Sequence, residues 1–404
     1  MTVFSPSAEQ LAAPVPASTD VLVVGGGLAG AALAYHLAGE GIETVLLERH
    51  ELNREASGTN AGSFHFQIAL HQLTAFETDN VRDRLLTEVR LHAEAAALWS
   101  TLEQELEAPL DVHITGGLMV AETEEQLRLL YDKHEIERVA GLETHVLAAA
   151  ELRELAPYLA DDLTGATFCP QEGHANPLLA APLFARRAAD RGAEIRAHAA
   201  VERIEVSDTP GSPRFAVTTS RGPIAAHRVV DAAGAWANDV AQLVGLRFPL
   251  RTEGLHVNVT EPRARLIEPM IQHIGRRLSL KQSANNTFII GGGWPAHPEI
   301  PPRRYSTLWE STAGNTAVAV RVVPALAGVR IVRTWTGVMP FTDDLSPIVG
   351  ECEQVPGFYM CMATTGFTLA PLIARLLAGN MSSGEALPAG FSPDRTPAHQ
   401  PATT

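Results

Sequence analysis

The sequence predicts a discontinuous α/β fold carrying an inserted, mainly antiparallel β-sheet. Three observations lead there: a strand–glycine turn–helix–strand unit opens the chain, strands crowd its middle, and a last strand runs into an apolar helix. The opening strand covers residues 21–24 and meets three consecutive glycines, followed by an Ala-rich helix that breaks at Gly41 and a second strand over 44–47. Residues 79–106 then set Leu85, Val89, Trp99, Leu102 and Leu106 mostly at helical spacing, which makes one long amphipathic helix. A helix in LAAAELRELAPYL stops at Pro157, and another over 178–191 ends at Gly192. From 193 to 230 the period shortens to that of strands, with turns at TPGSP and RGP, and strands continue between 250 and 293. The strand GFYMCMA and the helix FTLAPLIARLLAG close the fold. Residues 1–18 are expected to be a mobile lead-in and 396–404 a tail. Residues 19–90, 146–240 and 336–395 form the first domain, and 91–145 and 241–335 the inserted one, flanked by helices.

Of the 404 residues, 46% are hydrophobic and 19% charged, enough to bury a large core and too apolar for global disorder. The 31 Lys and Arg against 46 Asp and Glu leave a net charge of −15, which disfavours a nucleic-acid binder, because displacing phosphate counterions needs clustered positive charge. Cys169, Cys352 and Cys361 form no CxxC pair, so neither a disulfide framework nor a metal site is expected, and a reducing compartment fits. No Lys or Arg precedes Arg49, so the charged start of a secretory signal is missing, and no apolar run reaches the ~18 residues of a membrane span. A cytoplasmic protein is expected.

Gly25 to Gly30 reads GGGLAG, a GxGxxG turn placed between strand and helix as a dinucleotide site requires. Gly25 permits the tight turn, Gly27 lets a pyrophosphate approach the backbone, and Gly30 lets helix and strand pack closely. Leu28 and Ala29 offer free N–H groups at the positive end of the helix. Glu48, 18 positions after Gly30, ends the second strand where an acid accepts hydrogen bonds from a ribose diol, with Arg49 beside it. An acid there repels a 2′-phosphate, which counts against NADP; the turn alone leaves NAD and FAD both open.

Four further segments, in order, carry a family resemblance. EASGTNAGSFHFQ (55–67), VVDAAGAWAND (229–239), WTGVMPFTDDLSPIVG (335–350) and GFYMCMATTGFTLAPLIARLLAG (357–379) resemble the motifs of the D-amino-acid oxidase/glycine oxidase superfamily of FAD-dependent amine oxidoreductases. EGHANP (172–177) and IIGGGWP (289–295) resemble most the flavoprotein subunits that oxidise opines, proline or hydroxyproline. The resemblance implies a Rossmann-type FAD-binding domain. It adds Ser57, Gly58, Thr59, Asn60, Gly62, Ser63, Val201, Ala233, Gly234, Trp236, Gly337, Gly366, Phe367 and Thr368 to the cofactor residues. Read by themselves, the hydroxyls and glycines of 57–63 form a small polar loop able to present N–H and O–H groups to a diphosphate. Covalent members carry a Cys before the P-x-D region; this chain has Thr334, Trp335 and Thr336 there, so noncovalent FAD is expected.

Oxidation of an amine by flavin needs a neutral amine, a C–H bond aimed at N5 and an anchor for the substrate's charge, but no obligatory side-chain base. The family's carboxylate-binding Arg falls at Met339, and a thioether cannot replace a bidentate guanidinium. Either another cation serves, from among Lys281, Arg330 and Arg333, or the substrate has no carboxylate there. Trp294 and Met339 are further pocket candidates, and His65 and His256 are the candidate catalytic residues. His174 and Asn176 are expected to fix the entry to the next helix. The expected activity is oxidation of the C–N bond of an opine, a proline-like or D-amino acid, or another secondary amine, leaving an imine for water to hydrolyse. Oxygen or an electron-accepting partner subunit would then take the electrons. The alternatives are a tRNA-modifying flavoprotein of the same fold and a non-catalytic FAD-binding subunit of a larger complex.

Overall fold

The computed structural model describes residues 5–69, 79–207, 209, 212–299 and 304–395. The first sheet sets Ile348–Glu351, Phe358–Met362, Gly222–Asp231, Ser18–Val24, Thr44–Leu47 and Glu194–Arg196 side by side in that order. Neighbours run parallel except at the Ile348–Glu351 edge, and the antiparallel strands Val201–Val206 and Phe215–Thr219 extend the sheet from Gly222–Asp231. Both faces are covered, which is why the strands read as unbroken apolar runs such as VLVV. On one face the helix Leu28–Gly39 packs against Pro177–Asp190 and Gly366–Ser383. Its alanines are buried on nearly every side, and their small volume lets three helices crowd together. Ser18–Val24 and Gly222–Asp231 lie adjacent at the centre, and their C-terminal ends open the crevice where ligands of such sheets bind.

The second sheet runs Ile331–Thr342, Leu250–Pro262, Thr287–Gly291, Ser279–Gln282, Met270–His273, Gly117–Ala121, Gly165–Cys169, His145–Ala148. It is antiparallel apart from the Met270–His273 and Gly117–Ala121 pair. The long strand Ile331–Thr342 reaches from this sheet to the turn Gly234–Trp236 of the first, so the two sheets share one cleft.

Several expectations need correction. Residues 5–18 are not a loose lead-in. The helix Ala8–Ala12 carries a Ser7–Gln10 capping box, and Arg196 and Arg221 donate hydrogen bonds to the carbonyls of Gln10, Leu11, Ala12, Ala13 and Pro14. The strands His145–Ala148 and Gly165–Cys169, expected in the first domain, pair into the second sheet. Two helices without an expectation, Glu124–Ala140 and Trp309–Val322, cover that sheet's flanks. The tail expected at 396–404 lies outside the described residues.

Candidate cofactor and substrate site

A cleft of about 470 Å³ opens at the C-terminal ends of the first sheet, within the size range of small-molecule sites. Gly25, Gly27, Leu28, Ala29, Glu48, Arg49, Ser57, Val201, Ala233, Gly234, Trp236 and Gly366 line it. Gly25 has φ +118°, a conformation that favours glycine, and a methyl group on it would come within 2.6 Å of the Ala232 carbonyl oxygen. A methyl group on Gly27 would sit 3.0 Å from Ser57 Oγ, in the space left for a ligand's phosphates. Ser57 Oγ accepts the Leu28 N–H at 2.9 Å and keeps its own O–H to donate outward. The Glu48 carboxylate accepts from the N–H groups of Gly26 and His50, both at 2.8 Å, and retains lone pairs for further donors. At this end the Arg49 guanidinium lies 4.0 Å over the Trp236 ring, a planar platform. Val338, Pro340, Ala363 and Gly366, at the start of Gly366–Ser383, add a largely apolar part of the lining.

Glycine cradle, helix N-terminus, acid and apolar lining together fit a molecule with a diphosphate, a ribose and an aromatic ring, which is the form of FAD. A hollow of about 590 Å³ lies elsewhere, between the helix Ala8–Ala12 and Leu178, Leu179 and Pro182. It has no glycine cradle and no strand ends, so we place the site at the sheet cleft.

The other sequence candidates sit around this cleft rather than in its wall. Asn60 closes the 56–62 loop on itself, donating to the Ala56 and Ser57 carbonyls and accepting from the Gly62 N–H. Gly58 packs on the Asn53 backbone, and Gly337 leaves room for Thr59, whose carbonyl accepts from Trp335 Nε1 at 2.7 Å. Ser63 is buried in a short strand against His174. The Phe367 ring stacks on Phe64, centroids 5.9 Å apart, and packs on Trp99, anchoring the closing helix to the core. Thr368 ties that helix to the loop, its Oγ1 accepting from the His65 N–H at 3.3 Å and its carbonyl from Trp99 Nε1.

On the substrate side the structure brings His65 and Lys281 together. Lys281 is 3% exposed, and a methyl group at Gly62 would lie 3.2 Å from its Nζ. Burial holds its ammonium down to about 7, against a modest opposing pull from Asp111. Burial, the Lys281 charge and His92 push His65 down to about 4, so its ring is neutral at ordinary pH; Nε2 faces Ser279 Oγ at 3.3 Å.

Two candidates fall away. His256 Nε2 accepts the Leu308 N–H at 2.7 Å, which commits the ring to the segment entering Trp309–Val322. Trp294 donates to the Arg277 carbonyl and fills the space left by Gly314. Arg330 and Arg333 are exposed, whereas Met339 is half-buried in register with Glu253. Asn176 caps the helix Pro177–Asp190 through the Leu178 N–H, as expected. Glu172, Gln67 and Gln272, absent from the sequence expectations, form a buried polar set beside His65.

The fold and the cleft together define a dinucleotide-binding fold with a second sheet whose strand Ile331–Thr342 reaches the cleft. The family model described as FAD dependent oxidoreductase (DAO) matches residues 20–379, and the chain belongs to that family. It is 30% identical over 363 residues to mitochondrial sarcosine dehydrogenase of Mus musculus, covering 86% of this chain but 37% of that longer protein. It is 28% identical over 379 residues to one of the subunits of opine oxidase from Rhizobium meliloti, covering 91% of this chain and 94% of the relative. Among solved structures, L-proline dehydrogenase from P. horikoshii superposes with a TM-score of 0.83 at 23% identity, over 94% of this chain and 98% of that one, a likeness of fold. Glycine oxidase from Geobacillus kaustophilus gives 0.78 at 25% identity, over 94% and 100%. Among the described residues no helix is long and apolar enough to cross a membrane.

Proposed function

We propose that this chain is the FAD-bearing unit of an enzyme that oxidises the C–N bond of a carboxylate-bearing secondary amine. The observation that carries the reading is a buried lysine, with no ion-pair partner among the described residues, set against Gly62 of the loop whose Ser57 lines the cleft. Relatives named sarcosine dehydrogenase, opine oxidase and 4-methylaminobutanoate oxidase support it, since those names describe N-substituted amino acids. Bound in the cleft, FAD supplies a two-electron acceptor for the hydride that leaves the substrate carbon. Gly25 and Gly27 leave room for the diphosphate, while the Ala29 N–H, the Ser57 hydroxyl and the helix dipole stabilise its charge. Glu48 takes the ribose hydroxyls, and Arg49 and Trp236 flank the adenine. Lys281 anchors the carboxylate in place of the arginine missing at Met339. His65 stays neutral and so does not repel the positive charge that grows on the amine as the C–H bond breaks.

The cofactor is held noncovalently on this reading. Cys361 is the cysteine lining the cleft, and burial pushes its thiol up to about 12, far from the thiolate that attachment needs. Acid precipitation of the coloured protein is therefore expected to release FAD into the supernatant; colour retained in the pellet would contradict noncovalent binding. The three buried, free cysteines suit the cytoplasm, and an electron-accepting partner is consistent with relatives that are named as parts of larger oxidases. The reading is tested by turnover of the FAD-loaded protein with an artificial electron-accepting dye. Sarcosine, prolines and opines should reduce the dye faster than the parent primary amino acids, and the reverse order would overturn the secondary-amine assignment.

A further inference from the structure

Glu172 is fully buried, and its carboxylate occupies the space that a side chain at Gly117 would fill. Its Oε1 accepts the N–H groups of Phe66 at 2.8 Å and Gln67 at 3.0 Å, and its Oε2 accepts Gln67 Nε2 at 2.9 Å. Gln272 Nε2 lies 3.4 Å away, in register with Ser279 on the paired strand, and Ser279 Oγ faces the His65 ring. Beyond Gln67 the order of donors continues. Lys133 Nζ donates to Gln67 Oε1 at 2.9 Å, to Glu137 at 2.8 Å and to Thr167 Oγ1 at 3.2 Å. Thr167 also donates to Gln67 Oε1, and Glu137 Oε1 accepts the Ile68 N–H. Backbone groups of residues 66, 67 and 68 are thus pinned from one side by two buried carboxylates. The segment they hold leads directly out of His65, whose ring faces Ser279 and whose N–H meets the closing helix.

This network has one consistent orientation. Lys133 is donor-only, so Gln67 must turn its oxygen to it and its NH₂ to position 172, which must then be acceptor-only. A buried network of this kind is costly unless every member is satisfied, and an apolar side chain at 172 would leave the Phe66 and Gln67 N–H groups without their acceptor.

We propose that Glu172 is a positioning residue for the oxidation assigned above: through residues 66 and 67 and through Gln272 it sets the place of His65 at the substrate side of the cleft. The inference rests on that functional reading only for its kinetic consequence.

The test uses the full chain loaded with FAD. In E172Q a new NH₂ either confronts that of Gln67 or forces Gln67 to turn its own NH₂ to Lys133. Amide exchange at Phe66 and Gln67 should quicken by at least about tenfold. The maximal rate of flavin reduction by amine should fall by about tenfold or more, with the KM changed by less than about threefold. The double variant E172Q/Q67E puts an acceptor-only group between Lys133 and an amide donor and should recover most of both losses. Unchanged exchange or an unchanged maximal rate in E172Q would overturn the proposal, as would a double variant no better than E172Q. If no amine reduces even the wild-type flavin, the functional reading has failed. Exchange at 66 and 67, with the imidazole resonances of His65, then decides the positioning role by itself: shifts in E172Q reversed in the double variant support it, and their absence overturns it.

Discussion

Gly30→Ala is expected to yield a protein that purifies without colour. In an exposed helix the same change is favourable by about 1 kcal/mol, because alanine loses less backbone freedom on folding than glycine. Here the added methyl group would overlap the Gly25 carbonyl oxygen and press on Val23 Cγ1 at 3.3 Å. The neighbour is backbone in the ligand-cradling turn, so relief requires the helix Leu28–Gly39 to move off its strand, and overpacking of this sort costs about 1–3 kcal/mol. A turn that relaxes in the free chain must be forced back for FAD to bind, and that cost weakens FAD by roughly fivefold to 150-fold. Gly39→Ala at the other end of the helix is the control: its methyl group meets the flexible end of Arg191, and FAD content should be unchanged. FAD per polypeptide, read from absorbance, and the Kd, read from flavin fluorescence, check both. Normal FAD affinity in Gly30→Ala would mean that helix and turn do not bind the cofactor as a unit.

Lys281→Met is expected to raise the KM for carboxylate substrates by about tenfold to a hundredfold, the worth of one charge-assisted hydrogen bond of about 1.5–3 kcal/mol. Its ammonium has no carboxylate at ion-pair distance among the described residues, so it is available to an anionic ligand. The same group predicts a pH dependence. With the ammonium lowered to about 7, the wild-type KM should climb above neutral pH as the cation is lost, and the variant should lack that climb. Stability moves the other way. Between about 7 and the ordinary lysine value of 10.5, the unfolded chain holds a proton that the folded chain has shed. The stability of the FAD-free protein therefore rises with pH across that window, and Lys281→Met should flatten the rise. Steady-state kinetics and denaturant titrations at several pH values measure the two effects. A KM equally insensitive to pH in both proteins would remove Lys281 from the substrate.

The glycine-turn end of the cleft was legible in the sequence because its parts are local, whereas the lining from 199–201, 232–243, 338–340 and 361–370 comes from far along the chain. Gly25 to Gly30, Glu48 and Arg49 fall within one strand–helix–strand unit, and the loop at 57–63 follows at once. The substrate side was less legible because it is assembled across the chain. Lys133 and Glu137, four apart in EEQLRLLYDKHEIERVA, are fully buried, and nothing in that charged stretch marks them out from its exposed neighbours. Glu172 meets Gln67 from 105 positions away. His256 and Trp294 carried suggestive side chains, but their partners Leu308 and Gly314 could be known only once the strand Leu250–Pro262 had been packed beside the helix Trp309–Val322. The N-terminal segment looked loose for the same reason, since the arginines that hold it come from positions 196 and 221.

The proposed reaction passes a hydride directly from an amine carbon to a flavin held in the sheet cleft. Anaerobic mixing of the FAD-loaded protein with less than one equivalent of a secondary amino acid tests it most directly, with flavin absorbance and carbonyl product measured together. The expected result is one flavin bleached and one carbonyl released for each amine consumed. A flavin that dithionite bleaches but no amine does would contradict it.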